Sequence, residues 1–478
     1  MKVLYAASEA LPFAASGGLA DVAGSLPQAM RQRLIGCRIV MPLYESVPQE
    51  LRENMKFITS LSVPVSWRRQ YCGVFEAKAG GVIYYLLDNQ YYFKRKGLYG
   101  HYDDAERFAF FSRAVLEMLP YLDFKPDIIN ANDWQAALVP IYYDLYYANN
   151  DWYRGIKTVF TIHNIQYQGK YGLEICEDVF GIPNDRRATV EYDGCINLMK
   201  GAIETAHKVT TVSPTYAQEI LDPWFSHGLD PILHERSWKL CGILNGIETE
   251  NYDPATDGFV YKNYDIESFA EGKAENKKEL QKRLFLPERP DVPMIGMVTR
   301  MVSHKGLDLV KAMLDDFLAN NDVQFVILGS GDWEYESFFR EMQERHKGKL
   351  VACFGFLPEL SRKIYAATDI FLMPSKSEPC GLSQMIALRY GSIPIVRETG
   401  GLKDSITDSG DGEGNGFTFK SYDAGDMRYA MERAIGGYYN RDGWAILTRR
   451  AMESDNSWGK SANAYIKMYK SLIKEEQQ

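Results

Sequence analysis

Cysteine is scarce in this sequence. There are seven among 478 residues, an odd number with no C-x-x-C pair, which argues against a disulfide framework or a zinc site and fits a reducing compartment. No apolar run approaches the ~18 residues that a membrane helix needs, so no membrane partner is expected. The opening stretch, MKVLYAASEALPFAA, has the apolar look of a signal peptide, but Glu9 interrupts it. A first strand of a cytoplasmic protein is expected there instead. A basic excess is also missing: the formal net charge is −9, which argues against nucleic acid as the main partner and leaves room for local cations on a phosphorylated small molecule. No lysine follows a Walker-type G-x-x-x-x-G, Gly329-Ser-Gly331 lacks the third glycine of the dinucleotide spacing, and H-E-x-x-H is absent. There is no D-x-D pair to hold a metal on a nucleoside diphosphate. Neither metal nor cofactor is expected, and any leaving diphosphate would rely on Arg, Lys and helix amides.

What is present is the pattern of α/β folds with parallel sheets. Apolar runs of strand length alternate with longer amphipathic segments. One set comprises Val3–Ala6, Arg38–Met41, Ile83–Leu87, Asp127–Ile129, Thr158–Ile162 and Val209–Val212. A second comprises Met294–Val298, Gln324–Leu328, Leu350–Cys353, Ile370–Met373 and Ile393–Val396. Asn245 to Pro293 contains no such run, and a domain boundary is expected near Asn245–Pro254. The chain then divides into 1–245, 246–457 and a C-terminal helix over 458–478, where Tyr465, Met468, Tyr469 and Leu472 fall at helical spacing. The glycine-rich acidic stretch 410–416 reads as a surface loop.

Polar residues gather where the strands are expected to end. Glu378 lies in a polar loop after the strand Ile370–Met373 and before a helix that Gly391 ends. It is either a charged acceptor, for instance for sugar hydroxyls, or a helix cap. Arg300 and Lys305 share a loop after Met294–Val298, as a diphosphate clamp or as solvated cations. His163-Asn164 and Asn132-Asp133-Trp134 end two further strands. A short internal repeat relates Ser16-Gly-Gly-Leu-Ala-Asp-Val22 to Thr399-Gly-Gly-Leu-Lys-Asp-Ser405. Glycine pairs at such turns let a backbone approach a ligand closely.

Together these segments resemble the bacterial glycogen synthase and plant starch synthase family, over almost the whole chain. The most specific are S-G-G-L-A-D-V, LYGHYDDAERF, N-D-W-Q, H-N-I-Q-Y-Q-G, V-T-T-V-S-P-T-Y, G-I-L-N-G-I, S-E-P-C-G-L-S-Q, T-G-G-L and the S-W-x-K-S-A tail at Ser457–Ala462. The resemblance implies two Rossmann-like domains facing a cleft, the GT-B arrangement, with the C-terminal helix crossing back to the first domain. Residues 1–245 would serve the acceptor and 246–457 the nucleotide-sugar donor. It implies retaining transfer of glucose from ADP-glucose or UDP-glucose to the non-reducing 4-hydroxyl of an α-1,4-glucan, as in glycogen biosynthesis. Glu378, His163 and Asp21 are then the candidate catalytic residues. Arg300, Lys305, the amides of Gly381, Leu382 and Ser383, and the turn Ala15–Gly17–Gly18 would meet the donor. Phe356 would stack on its base, and Asp21, Asp133 and Asn245 would line the sugar side. There are two departures from the family pattern. Ile386 stands where related transferases often carry a second glutamate, and Ala15 replaces the lysine of K-S/T-G-G-L. A phosphorylase or epimerase on the same fold, and a non-catalytic glucan-binding paralogue suggested by Ala15, are the competing readings.

Overall fold

The computed structural model describes residues 1–474, which form two compact units: Met1–Ile243 with the segment from Trp458, and Leu244–Ser457. The first is built on a nine-stranded sheet. Its strands are β1 (Lys2–Ala6), β2 (Gly36–Pro42), β3 (Lys56–Val65), β4 (Arg68–Ala79), β5 (Val82–Asp88), β6 (Ile128–Asn132) and β7 (Lys157–Ile162). A separate three-stranded sheet follows, of β8 (Lys170–Tyr171), β9 (Glu191–Tyr192) and β10 (Cys195–Asn197). Then β11 (Lys208–Thr211) and β12 (Leu240–Gly242) complete the large sheet, in the order β12-β11-β7-β6-β1-β2-β5-β4-β3. All its pairs are parallel except those of β4, which runs antiparallel to both β3 and β5. The six runs expected as strands are all present. The β3–β4 hairpin was not expected, because its long strands mix exposed and half-covered side chains with only a few buried ones and never form a continuous apolar run.

The second unit carries β13 (Met294–Val298), β14 (Gln324–Gly329), β15 (Leu350–Phe354), β16 (Ile370–Met373), β17 (Ile393–Arg397) and β18 (Phe417–Phe419). Their order is β15-β14-β13-β16-β17-β18, and every pair is parallel. Five of the six were legible as apolar runs; β18 is only three residues long. Side chains such as Ile295, Ile327, Leu372 and Ile395 are fully enclosed, together with Phe317 and Phe339 from the covering helices. In both sheets the strand order reverses beside the first strand, between β1 and β6 and between β13 and β16. In open parallel sheets that reversal leaves a crevice outside the carboxyl ends of the strands.

A buried polar ladder ties the first sheet to the chain's end. The Asn130 side-chain N–H donates to Thr161 Oγ1 at 2.8 Å, and the Thr161 and Thr210 hydroxyls are 2.7 Å apart. Tyr469 donates its hydroxyl to Asn130 Oδ1 at 2.8 Å. Tyr469 belongs to the helix Trp458–Lys474, which lies against the helix Gly18–Gln32, with Arg33 donating to Asn463 at 2.6 Å. The last four positions of the expected 458–478 helix lie outside the described residues.

The glycine-rich turn at 410–416 is held firmly. The Asp408 carboxylate accepts the N–H groups of Gly410 and Thr418, at 2.9 and 2.7 Å, and a bidentate pair from Arg433 at 2.8 Å each. Burial pushes its pKa up, but Arg433 and the amides outweigh burial and lower it to about 2. A carboxyl whose folded pKa lies below its unfolded value of ~3.9 stabilises the fold above that value and loses the effect as pH falls through about 2. Asp408→Asn is expected to cost roughly 1–2 kcal/mol at pH 7, after discounting for a side chain that is 31 % exposed. Urea melts of the two proteins should converge as the pH approaches 2. An equal gap at pH 7 and at acid pH would show that the ion pair is not the cause.

Candidate active site

In the second unit, two loops meet at the β13/β16 reversal. The loop after β13 is pinned along its backbone, Thr299 N–H to Leu328 O at 3.0 Å and Met301 N–H to Ser330 O at 2.9 Å. It leads through Arg300, which is exposed, to Lys305. Next comes Gly306, in the left-handed region at φ 75°, where an added Cβ would sit 2.0 Å from the Pro374 carbonyl oxygen. The loop after β16 therefore lies directly on the loop after β13, and Lys376 N–H donates to His304 O at 2.9 Å. That contact brings together two charges distant in sequence. Lys305 Nζ donates to Glu378 Oε2 at 2.7 Å, and the Ser375 hydroxyl donates to the same oxygen at 3.0 Å.

Glu378 is 7 % exposed. It does not cap the following helix, Ser383–Arg389, whose N-cap is Leu382 and which has no side-chain cap. With Oε2 taken, Oε1 is left to accept from a ligand. The N–H groups of Leu382 and Ser383, at the helix start, have no preceding turn to bond to. The second Gly-Gly pair was expected to face a ligand, but it faces the chain itself. A Cβ on Gly400 would lie 1.9 Å from the Glu378 carbonyl oxygen, and one on Gly401 would lie 2.1 Å from that of Cys380. This pair seats the Glu378 loop. Asn245 lies at the same loop: its N–H donates to the Cys380 thiol, and its buried Oδ1 has no partner. Phe356, past the end of β15, is 91 % exposed, a large apolar ring with nothing over it.

In the first unit, Asn132 ends β6 at the β1/β6 reversal. Its side-chain NH₂ donates to Ala6 O and Asn130 O, at 3.0 and 3.1 Å. That fixes Oδ1 as the atom 2.9 Å from His163 Nε2. Nε2 therefore carries the proton, and Nδ1 is the ring's acceptor. Burial pushes the imidazole pKa down to about 3, so the ring is neutral. Asp133 sits in the left-handed region, φ 55°, uncommon for a residue with a side chain. Its Oδ1 accepts the His163 N–H at 2.8 Å. Burial raises its carboxyl to about 7, against the lowering by the His163 and Asn164 amides. Asp133 thus holds the backbone of His163 in place. Ala15, Ser16, Gly17 and Gly18 form an exposed turn, and Asp21 is exposed in the first turn of the helix that follows. A Cβ on Gly18 would meet nothing within 4 Å.

The starch synthase catalytic domain family matches residues 2–235, and the family described as glycosyl transferases group 1 matches residues 276–442. A glycogen synthase from Geobacillus thermodenitrificans is 50 % identical, covering 100 % of this chain and 99 % of its own. One from Bacillus cereus is 47 % identical, over 99 % of this chain and 100 % of its own. The solved catalytic domain of starch synthase IV from Arabidopsis thaliana, bound to ADP and acarbose, superposes with a TM-score of 0.89 at 35 % identity, over 99 % of both chains. The chain belongs to the glycogen and starch synthase family.

It is a glycosyltransferase of the GT-B fold, as the sequence led us to expect. Among the described residues of this glycogen synthase homologue, no helix is long and apolar enough to cross a membrane, and no group of three or more His, Cys, Asp or Glu is placed to hold a metal ion. Two residues beyond the strand ends were given no role in the sequence, Glu9 and Ser375, and Asn132 was placed at a strand end without its histidine partner. The one visible signal was Glu9 itself, a charge inside an otherwise apolar opening stretch.

Proposed function

We propose that this synthase transfers glucose, with retention, from ADP-glucose to the non-reducing 4-hydroxyl of an α-1,4-glucan. The observation that carries the reading is the Lys305–Glu378–Ser375 cluster at the Rossmann reversal, with Arg300 on the adjoining loop. Lys305 and Ser375 hold one Glu378 oxygen, so the carboxylate is fixed with Oε1 turned to the glucose hydroxyls. Because Lys305 is already paired with Glu378, Arg300 and the amides of Gly381, Leu382 and Ser383 carry more of the diphosphate charge. Phe356 offers its ring to the base. In the first unit, Gly17 and Gly18 give the turn room for a diphosphate beside them, and Asp21 and Asp133 serve the sugar side. Neutral His163 offers its carbonyl to the positive charge that develops at the anomeric carbon and its Nδ1 to a hydroxyl. ADP-glucose is favoured over UDP-glucose by the likeness to a starch synthase solved with ADP. The test is incubation with glycogen and each labelled nucleotide sugar. Glucose incorporated from neither would overturn the reading, and incorporation from UDP-glucose alone would reverse the donor.

Activity is expected to survive a chelator, because cations and amides at the donor site replace the missing D-x-D pair. Loss of transfer in chelator, restored by magnesium or manganese, would count against this. A further expectation concerns Ala15. An added lysine there places a mobile cation beside an anionic leaving group, worth on the order of 1 kcal/mol. Ala15→Lys should therefore raise kcat/KM for the donor several-fold. Lys403 is exposed in the helix Gly400–Ser405 and is the alternative source of that charge. If Ala15→Lys gains nothing while Lys403→Ala is sharply damaging, the role passes to Lys403.

A further inference from the structure

The turn Ser16-Gly17-Gly18 rests on a buried carboxylate. Glu9 leaves the carboxyl end of β1 and is 2 % exposed. Its Oε2 accepts the Ser16 N–H at 2.7 Å and the Ser16 hydroxyl at 2.5 Å. The Gly17 N–H and the Tyr99 hydroxyl also donate to it. Tyr99 lies 2.7 Å from the Ser8 hydroxyl, which holds it beside the carboxylate. Burial raises the Glu9 carboxyl, and these donors offset part of that rise. A Cβ on Gly17 would lie 3.8 Å from Glu9 Oε1, and Gly17 itself is extended at φ −161°. The inner side of the turn is therefore fully bonded to one side chain, and its outer side is open.

We propose that Glu9 is a positioning residue: it fixes the Ser16-Gly17-Gly18 turn from within, so that the outer backbone face is set for the donor diphosphate. The proposal rests on the donor role given to this turn above. Two N–H groups and a hydroxyl of the turn converge on Glu9, so the site needs a group that only accepts, through two oxygens. A glutamine offers one oxygen and sets its NH₂ against a backbone N–H. Glu9→Gln should therefore behave almost as badly as Glu9→Ala, which separates this role from simple space-filling.

The experiment is a double-mutant cycle in the full chain, with Glu9→Gln, Ser16→Ala and the pair together. The donor KM should rise about tenfold in Glu9→Gln, with the glucan KM and kcat changing about twofold or less. The pair should be no worse than Glu9→Gln alone, because both changes break one linkage. Ser16→Thr, which keeps the hydroxyl, should recover most of the donor affinity lost in Ser16→Ala. Additive losses, or an unchanged donor KM with only a lowered Tm, would overturn the proposal. If the wild type proves inactive with both nucleotide sugars, ADP titration calorimetry decides: binding weakened about tenfold in Glu9→Gln supports the positioning role, and equal binding, or no ADP binding by the wild type, overturns it.

Discussion

Glu378→Gln is expected to lower kcat by roughly two to three orders of magnitude, the effect of losing about 3–4 kcal/mol of charge-assisted hydrogen bonding in the transition state. Glutamine keeps the volume of a side chain that is 7 % exposed and leaves an oxygen for the Lys305 ammonium and the Ser375 hydroxyl. Alanine would do more. It would strand Lys305, itself only 16 % exposed, without its partner. Glu378→Ala should therefore lose stability as well as activity, about 1–3 kcal/mol in a denaturant melt. The isosteric change isolates the chemistry. Near-normal turnover in Glu378→Gln would show that the cluster only braces two loops, and the donor role would have to move elsewhere.

The second large effect concerns the pH profile. His163 invites assignment of any inflection near neutrality, yet burial pushes its pKa down to about 3, and it stays neutral across the working range. Asp133 is the group expected to titrate there, since burial raises it to about 7. As pH rises through that value, the carboxylate forms and grips the His163 amide more tightly. Transfer should therefore rise to a plateau above pH 7. The same raised pKa means stability is fullest below the unfolded value of ~3.9 and is lost as pH rises through about 7. His163→Gln is expected to cost roughly two orders of magnitude in kcat and to leave the inflection in place. Asp133→Asn should abolish the inflection. An inflection that disappears with His163 and survives in Asp133→Asn would invert the assignment. Asn132→Asp gives a check: a carboxylate at 2.9 Å from Nε2 favours the imidazolium, so a new histidine titration should appear.

Much of this was legible because strands buried on both faces end abruptly. Leu372-Met373 runs into Pro374, Val298 into Thr299-Arg300, and Ile162 into His163, so composition alone marks the edge where the candidate residues gather. The partners of those residues were not legible. Asn132 reaches Ala6 across 126 residues, and Lys305 reaches Glu378 across 73. Both contacts depend on which strands lie side by side, and an apolar run does not state its neighbour. The segments that carried the resemblance also divide into two kinds. Glu378 and His163 stand at strand ends, whereas Arg107 of the D-D-A-E-R-F segment is wholly enclosed, donating to Tyr92 O and Asp104. Ser213 of V-T-T-V-S-P caps the helix Pro214–Glu219. Gln168 of H-N-I-Q-Y-Q-G is buried and donates to Ile165 O and His227 O. A sequence pattern marks both kinds alike, and only the surroundings of each side chain separate chemistry from scaffold.

The C-terminal helix sets the order in which the protein can be finished at the ribosome. Its Ala462, Tyr465 and Tyr469 are fully enclosed in the first unit, where Tyr469 completes the bonding of Asn130. Those residues are synthesised only after every residue of the second unit has been made. The nascent first unit must wait with the flank of its Gly18–Gln32 helix bare, while the second unit, one continuous stretch, can close as soon as it emerges. A chain stopped before Trp458 would leave the flank of the Gly18–Gln32 helix without the cover that the helix Trp458–Lys474 gives it.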